Sequence, residues 1–436
     1  MHVASDAVGI GVPAQVEGSE YTLSAVPEGA RTAAYRIGIM LLASNISLPV
    51  FVEGGQLGTG LGVWKTAIAS AWAGLILAIV AGTCAYAGAR SRLTTYVLII
   101  SAFGRRGGKL INILLSVSAV GWFAVVVMLF AGTIGQVVGV RTGMASTIWA
   151  LAGTMLMIGT TLLGFRALNL LSNISLPLKM LLLGWAVVTA LRVHGAIPPG
   201  SSPGKHALDD GSAISFIVGG WIVGAVLAPD LARFARSPIG GAVACALGLG
   251  VGYPLILIIT SIPARLSSNV DMIQTMLSLG LGIPAMLIVL LAAWANGASN
   301  LYSGSLVLAA VFQRSRRSTV TIGGAILGLG AALSGVTDQV VPYLLLLSIA
   351  IPPIAGVYLS RFFIDLRGGG ARADPGEWDL QALFSCALGI AIAGFGDRLG
   401  LVLSGISAID ALGVSTMSYL VLECARRRIR PIPRLA

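Results

Sequence analysis

Long apolar runs bounded by charge, Gly or Pro recur along the chain at about 36–60, 66–89, 110–138, 145–164, 170–191, 213–233, 239–263, 279–311, 320–337, 340–363, 380–396 and 400–423. A helix of roughly 20 apolar residues spans a bilayer and satisfies its own backbone hydrogen bonds. The pattern therefore predicts an all-α integral membrane protein of about twelve transmembrane helices. Two divisions rest on short polar breaks, Arg265 to Asp271 and Gly335 to Asp338. Two spans are interrupted alike. The first carries Ser44-Asn45-Ile46-Ser47-Leu48-Pro49 and then Glu53-Gly54-Gly55; the sixth carries Gly219-Gly220-Trp221, Gly224 and Ala228-Pro229-Asp230. Broken helices at corresponding positions point to a transporter with inverted repeats, because unwound backbone exposes amides and carbonyls to a ligand. The bland alternative is ordinary kinking of lipid-adapted helices.

Composition narrows this further. Of 436 residues, 56% are hydrophobic and 10% charged, and the mean hydropathy is +0.90. A soluble domain carries about 25% charged residues, so a cytoplasmic enzyme is excluded. The 57 glycines suit helices that pack through small faces in lipid. In a soluble protein the net charge of +11 would suggest nucleic acid. Its placement argues otherwise. With both termini cytoplasmic, 21 of the 28 basic residues fall in cytoplasmic segments, among them Arg90, Arg166, Arg314 and Arg372. Six fall outside (Lys65, Arg141, Arg192, Lys205, Arg265 and Arg398), and Lys179 lies within a span. That bias sets the orientation in an inner, plasma-type membrane and removes the nucleic-acid reading. Residues 1–31 read as a disordered cytoplasmic tail rather than a signal peptide, and 425–436 as a basic cytoplasmic tail. Cys84, Cys245, Cys386 and Cys424 lie in apolar runs without CxxC spacing, so neither a disulfide framework nor a zinc site is indicated. An intramembrane enzyme is disfavoured, since HExxH, GxSxG and paired aspartates are absent and His2, His194 and His206 lie outside the spans.

Four motifs occur in order: Leu57-Gly58-Thr59-Gly60-Leu61, Val120-Gly121-Trp122-Phe123, Asp230-Leu231-Ala232-Arg233-Phe234 and Ile351-Pro352-Pro353, with Trp378 ahead of the eleventh span. From about Thr32 to the last helix the chain resembles the nucleobase:cation symporter-1 family of bacterial cytosine permeases, hydantoin permeases and fungal purine-cytosine permeases. The resemblance implies a LeuT-like fold of the APC superfamily. Its ten-helix core would be 32–363, with inverted repeats at about 32–192 and 213–363, followed by two further helices at 379–424. It implies secondary active, cation-coupled transport of cytosine or a related nucleobase without a cofactor. The alternative cargo is a hydantoin, a thiamine-precursor pyrimidine, another small heterocycle or an amino acid.

The resemblance also implies that aromatics on the third and sixth helices sandwich the ring, and Trp122 and Trp221 match those positions. A flat heteroaromatic offers two π faces to such a pair. Asn296 and Asn300, four apart on the eighth span, share one helix face, and each amide supplies both a donor and an acceptor for a ring edge. Their bland reading is interhelical amide bonding. Gly220 and Ser47 join this substrate set at the breaks. Glu53 either accepts from a base N–H or carries the coupled proton, or else lies solvated in the outer vestibule.

The coupling ion is H+ or Na+. In sodium-coupled relatives the cation sits between first-helix carbonyls and eighth-helix oxygens, and Ala292 and Ala295 stand at the expected ligand positions, which depletes that cage. Lys179 either fills the vacated cation site or snorkels to the cytoplasmic interface. The first choice favours proton coupling or ion-independent exchange. Asp230 and Arg233, three apart, read as a structural pair or gate, and Asp410 as a packing residue.

Overall fold

The computed structural model describes residues 24–140, 143–196, 208–269, 272–312, 315–335, 339–368, 375–396, 398, 400–401 and 403–429. Expectations for the tails at 1–23 and 430–436, including His2, and for Arg141, Lys205, His206, Asp271, Arg314, Asp338 and Arg372 lie outside the described residues.

The helices are α1 (Ala34–Asn45), α2 (Leu48–Leu61), α3 (Val63–Ser91), α4 (Thr95–Phe103), α5 (Arg105–Val138), α6 (Gly143–Leu162), α7 (Phe165–His194), α8 (Asp210–Val226) and α9 (Ala228–Ala232). They continue with α10 (Pro238–Leu247), α11 (Tyr253–Ser267), α12 (Met272–Ser278), α13 (Gly282–Val311), α14 (Arg317–Leu333), α15 (Val340–Ala350), α16 (Pro352–Gly368), α17 (Leu380–Phe395) and α18 (Ser407–Ile429). Among the described residues, eight helical runs are long and apolar enough to cross a membrane, α10–α11 and α15–α16 each forming one of them. The bent pair α1–α2 adds a span, and the shorter apolar helices α8, α14 and α17 bring the number to twelve.

The first break falls where the sequence places it. Ile46 and Ser47 leave helical backbone and Pro49 opens α2, so the two halves meet at 61°. The sixth span breaks elsewhere than at its glycines. α8 runs unbroken through Gly219, Gly220 and Gly224, and the interruption comes at Leu227, just before Pro229. Proline lacks the N–H that would continue the ladder, so the chain restarts there. The glycines serve close packing instead. A Cβ at Gly219 would collide with the Leu344 carbonyl of α15, and one at Gly220 with the Tyr253 hydroxyl of α11.

Two short helices stand where the sequence pattern leaves loops, α4 and α12. Thr94 caps α4 by accepting from the Val97 amide at 3.3 Å, and the Asp230 carboxylate accepts from the Thr95 amide at 2.8 Å. Orphan amides at a helix start are satisfied in this way. The last span begins at Ser407 rather than at 400. Residues 24–31 also depart from a solvated tail. Val26 is buried, its amide donates to the Arg92 carbonyl, and Thr32 bridges in parallel to Ala235.

α5 and α13 form the most extensive helix pair, while α2 packs on α11 and α8 on α3 and α15. Gly54 and Gly58 of α2 face Thr260 and Ser261 of α11 so closely that any side chain would displace them. Small faces of this kind bring backbones together in lipid, where no hydrophobic drive exists between helices. In the tenth span helix assignment lapses at Ile351, between α15 and α16, ahead of Pro352 and Pro353.

Candidate functional site

The first span delivers Ser47 and Glu53 to the centre of the bundle. Ser47 is buried and precedes α2 without making a side-chain cap bond. Glu53 lies one turn beyond Pro49 and is 1% exposed, which excludes the solvated vestibule. The Tyr253 hydroxyl donates to Glu53 Oε2 and also lies 3.2 Å from the Ile217 carbonyl of α8. A side chain at Gly220 would begin 2.8 Å from Oε2 and 3.0 Å from Oε1. The bare backbone of α8 thus admits the carboxyl group. α2, α8 and α11 meet here.

The two predicted tryptophans are each held edge-on by a tyrosine. Trp221, half-buried on α8, meets Tyr253 with ring centroids 6.2 Å apart at 64°. Trp122, buried on α5, meets Tyr343 of α15 at 5.8 Å and 73°. The Tyr343 hydroxyl donates to the Ser118 carbonyl at 2.7 Å, and Gly121 leaves the space that this ring crosses. In each pair the two rings meet in a T-shaped contact, the arrangement aromatic quadrupoles favour.

On α13 the amide pair closes on itself. Asn300 Nδ2 donates to Asn296 Oδ1 at 2.7 Å, so the bond runs along the helix rather than between helices. That bond uses one half of each amide, so the Asn296 amino group remains as a donor and the Asn300 side-chain carbonyl as an acceptor. Ala292 and Ala295 are buried on the same helix and present no side-chain oxygen.

Lys179 occupies the middle of α7, 5% exposed. It lies nine residues beyond Leu170, where the membrane-length span begins, about 14 Å of helix. No hydrogen bond or ion pair joins Lys179 to Glu53 among the described residues.

Asp230 and Arg233 act differently from a simple i, i+3 ion pair. The Asp230 carboxylate caps α4, while Arg233 Nε donates to the Asp230 backbone carbonyl at 3.1 Å and its guanidinium lies 4.7 Å from the Phe234 ring centre. Arg92 donates to the carbonyls of Arg233, Ala235 and Arg236, closing the chain around the end of the sixth span. Asp410 accepts from Ser404 ahead of α18, outside the core.

Sequence reasoning missed Tyr253, Tyr343 and Asn45. Asn45 Nδ2 donates to the Gly248 carbonyl at 2.7 Å, tying the end of α1 to a π turn at Gly248–Gly252. The available signal was polarity at depth, as in Tyr253-Pro254 within an otherwise apolar run.

A polytopic helical bundle with a broken first span and a sixth span broken at its end has the architecture of a membrane transporter. Over residues 25–396 the chain belongs to the family described as permease for cytosine/purines, uracil, thiamine, allantoin. It is 29% identical over 415 residues to the cytosine permease of Escherichia coli strain K12, covering 93% of this chain and 94% of that one. It is 24% identical over 360 residues to the hydantoin permease of Microbacterium maritypicum, covering 76% and 72%. Among solved structures it superposes on Mhp1, a nucleobase-cation-symport-1 family transporter in a closed conformation with bromovinylhydantoin bound. That match has a TM-score of 0.76 and 20% identity, and covers 94% of this chain and 96% of the other. A Na+-coupled sialic acid symporter matches with a TM-score of 0.66 and 14% identity, over 91% and 90%. The LeuT-like fold expected from the sequence is the fold observed.

Proposed function

We propose that the protein imports a neutral nucleobase or a related small heterocycle by cation-linked alternating access. The observation that carries this reading is the pair of indole faces, Trp122 on α5 and Trp221 on α8, each braced by its own tyrosine. A planar base stacks between such walls with about 1–3 kcal/mol per aromatic contact. Asn296 and Asn300 read one ring edge, and Ser47, Gly220 and Glu53 line the side formed by the first and sixth spans. The α1–α2 and α8–α9 spans move against the other helices of a 32–363 core built from repeats at 32–192 and 213–363, and the helices at 379–424 stand apart.

Coupling rests on Lys179 and Glu53. Lys179 stands in for a cation while Ala292 and Ala295 withhold the oxygens that sodium needs, which favours proton coupling or ion-independent exchange. The protein sits in the plasma membrane with both termini cytoplasmic, the orientation its arginines favour. The decisive experiment is uptake of radiolabelled cytosine, adenine, hypoxanthine, uracil and hydantoin into proteoliposomes, with sodium and proton gradients imposed separately. Uptake of one or more bases is expected. Failure of every base would sink the reading, and uptake of hydantoin alone would select the second cargo class.

A further inference from the structure

Arg36 and Arg236 meet at one corner of the bundle where two spans begin. Each stands two residues from the start of a membrane-length run, Arg36 after Ala34 and Arg236 before Pro238. The two starts lie side by side. The Arg236 amide donates to the Thr32 carbonyl at 2.9 Å, and a Cβ at Gly240 of α10 would stand 3.1 Å from that of Ala34 on α1. Tyr35 completes the corner. Its hydroxyl, on an exposed side chain, accepts from Arg36 Nε at 3.4 Å, and Arg236 lies near enough for its charge to act on the same group. Neighbouring guanidinium groups are already engaged: Arg31 with Glu28, Arg92 with the carbonyls of Arg233, Ala235 and Arg236, and Arg233 with the Asp230 carbonyl. Among the described residues no carboxylate pairs with Arg36 or Arg236, and both side chains are exposed. Deeper along the same two helices, Ile39 of α1 and Ile239 and Val243 of α10 are exposed apolar side chains.

We propose that this corner binds the headgroup of an anionic phospholipid. A guanidinium fork matches two phosphate oxygens, and the bonds it makes to them are charge-assisted. Arg36 spends Nε on Tyr35 and keeps its terminal nitrogens for the phosphate; the Tyr35 hydroxyl, having accepted that bond, still has its own proton to donate. The acyl chains run along Ile39, Ile239 and Val243. Those residues are what select a lipid over a soluble anion, because a phosphate without chains leaves them untouched. Charge selects among lipids. A zwitterionic headgroup brings an ammonium towards two arginines, whereas an anionic one brings net negative charge to a corner that has no carboxylate of its own. The bound phosphate ties the start of the first span to the joint between the sixth and seventh.

The test is native mass spectrometry of the detergent-purified full-length protein titrated with phosphatidylglycerol or with phosphatidylcholine of the same acyl chains. The wild type should bind phosphatidylglycerol at least about tenfold more tightly. In Arg36→Gln/Arg236→Gln the ratio should fall to within about threefold, and Arg36→Lys/Arg236→Lys should lie between, since lysine keeps the charge without the fork. Lys65→Gln/Arg192→Gln, which removes two exposed cations at the ends of other helices, should keep the full ratio. A wild-type thermal midpoint in detergent shows that the glutamine pair is folded, and the lysine pair carries the comparison if it is not. Equal binding of the two lipids by the wild type overturns the proposal, as does a tenfold ratio that survives Arg36→Gln/Arg236→Gln or one lost equally in Lys65→Gln/Arg192→Gln. Displacement of phosphatidylglycerol by an equal concentration of inorganic phosphate also overturns it, because the corner would then hold a soluble anion. None of these measurements depends on the cargo, so their failure leaves the transport reading intact.

Discussion

The Tyr253 hydroxyl donates to Glu53 Oε2, joining the seventh span to the second half of the broken first span beside the backbone of the sixth. Two hundred residues separate the partners. Removing the donor strands a buried carboxyl oxygen, which costs about 1–3 kcal/mol. Tyr253→Phe is therefore expected to lower the thermal midpoint of the detergent-purified protein. An unchanged midpoint would mean that the bond contributes nothing to holding these spans together.

Gly220 is where packing and chemistry meet. A methyl group there would stand 2.8 and 3.0 Å from the Glu53 oxygens, inside van der Waals contact. Overpacking of this kind costs about 1–3 kcal/mol, so Gly220→Ala should reduce both stability and substrate affinity. Gly184, on α7, has nothing within 4 Å of its would-be Cβ. Gly184→Ala should be neutral or stabilising by up to about 1 kcal/mol, the usual helix-interior difference. Thermal unfolding of both variants checks the contrast.

Stacking on the tryptophans predicts a loss of about 1–3 kcal/mol in substrate binding for Trp122→Ala and for Trp221→Ala. Phenylalanine replacements should recover part of it, because a smaller π face remains. Competition binding measures this directly. Affinity unchanged in both alanine variants would reduce the indoles to packing residues.

Lys179 is buried at the middle of its helix, where a charge is expensive and is retained for function. Wild-type uptake should be insensitive to a sodium gradient, and Lys179→Ala should lose any response to a proton gradient. Sodium-driven uptake that persists in Lys179→Ala would reject this role.

At the start of the sixth span Asp209 accepts from the Ser212 amide at 3.0 Å. Its carboxyl is held below the usual carboxylate range, first by the Ser212 side chain and then by the Ser212 backbone. A depressed folded-state value means that the cap stabilises above the unfolded-state value, about 3.9, and that its contribution is lost as pH falls through the lower folded value. Asp209→Ala should cost about 0.5–2 kcal/mol near neutral pH. The gap from wild type should close in acid, which unfolding series at several pH values would reveal.

Much of the candidate site was legible in the chain as residues out of keeping with a plain apolar span. Ser47, Glu53, Gly220 and Trp221 stand out because polar, proline and glycine residues interrupt apolar runs, and such interruptions are costly in lipid unless they serve a ligand or a close packing contact. What the glycines do was not legible. Gly219 and Gly220 read as an unwinding signal, yet α8 passes through them as helix because the space they free is filled by Leu344 and Tyr253 from distant spans. The same holds for Asn296 and Asn300. Their shared face follows from helical periodicity, while their mutual bond depends on rotamers that the surroundings select.

Sequence by itself determined the lipid-embedded helical ladder, the break ahead of Pro49 and the depth of the tryptophans, because hydrophobic run length and proline act within a few residues of chain. Only the tertiary structure decided that Glu53 is enclosed rather than solvated, that Lys179 is buried among other helices, and that tyrosines from the seventh and tenth spans brace the two indoles. Those outcomes depend on which helix faces meet, and in lipid that choice is made by the fit of small residues and buried hydrogen bonds between segments far apart in the chain.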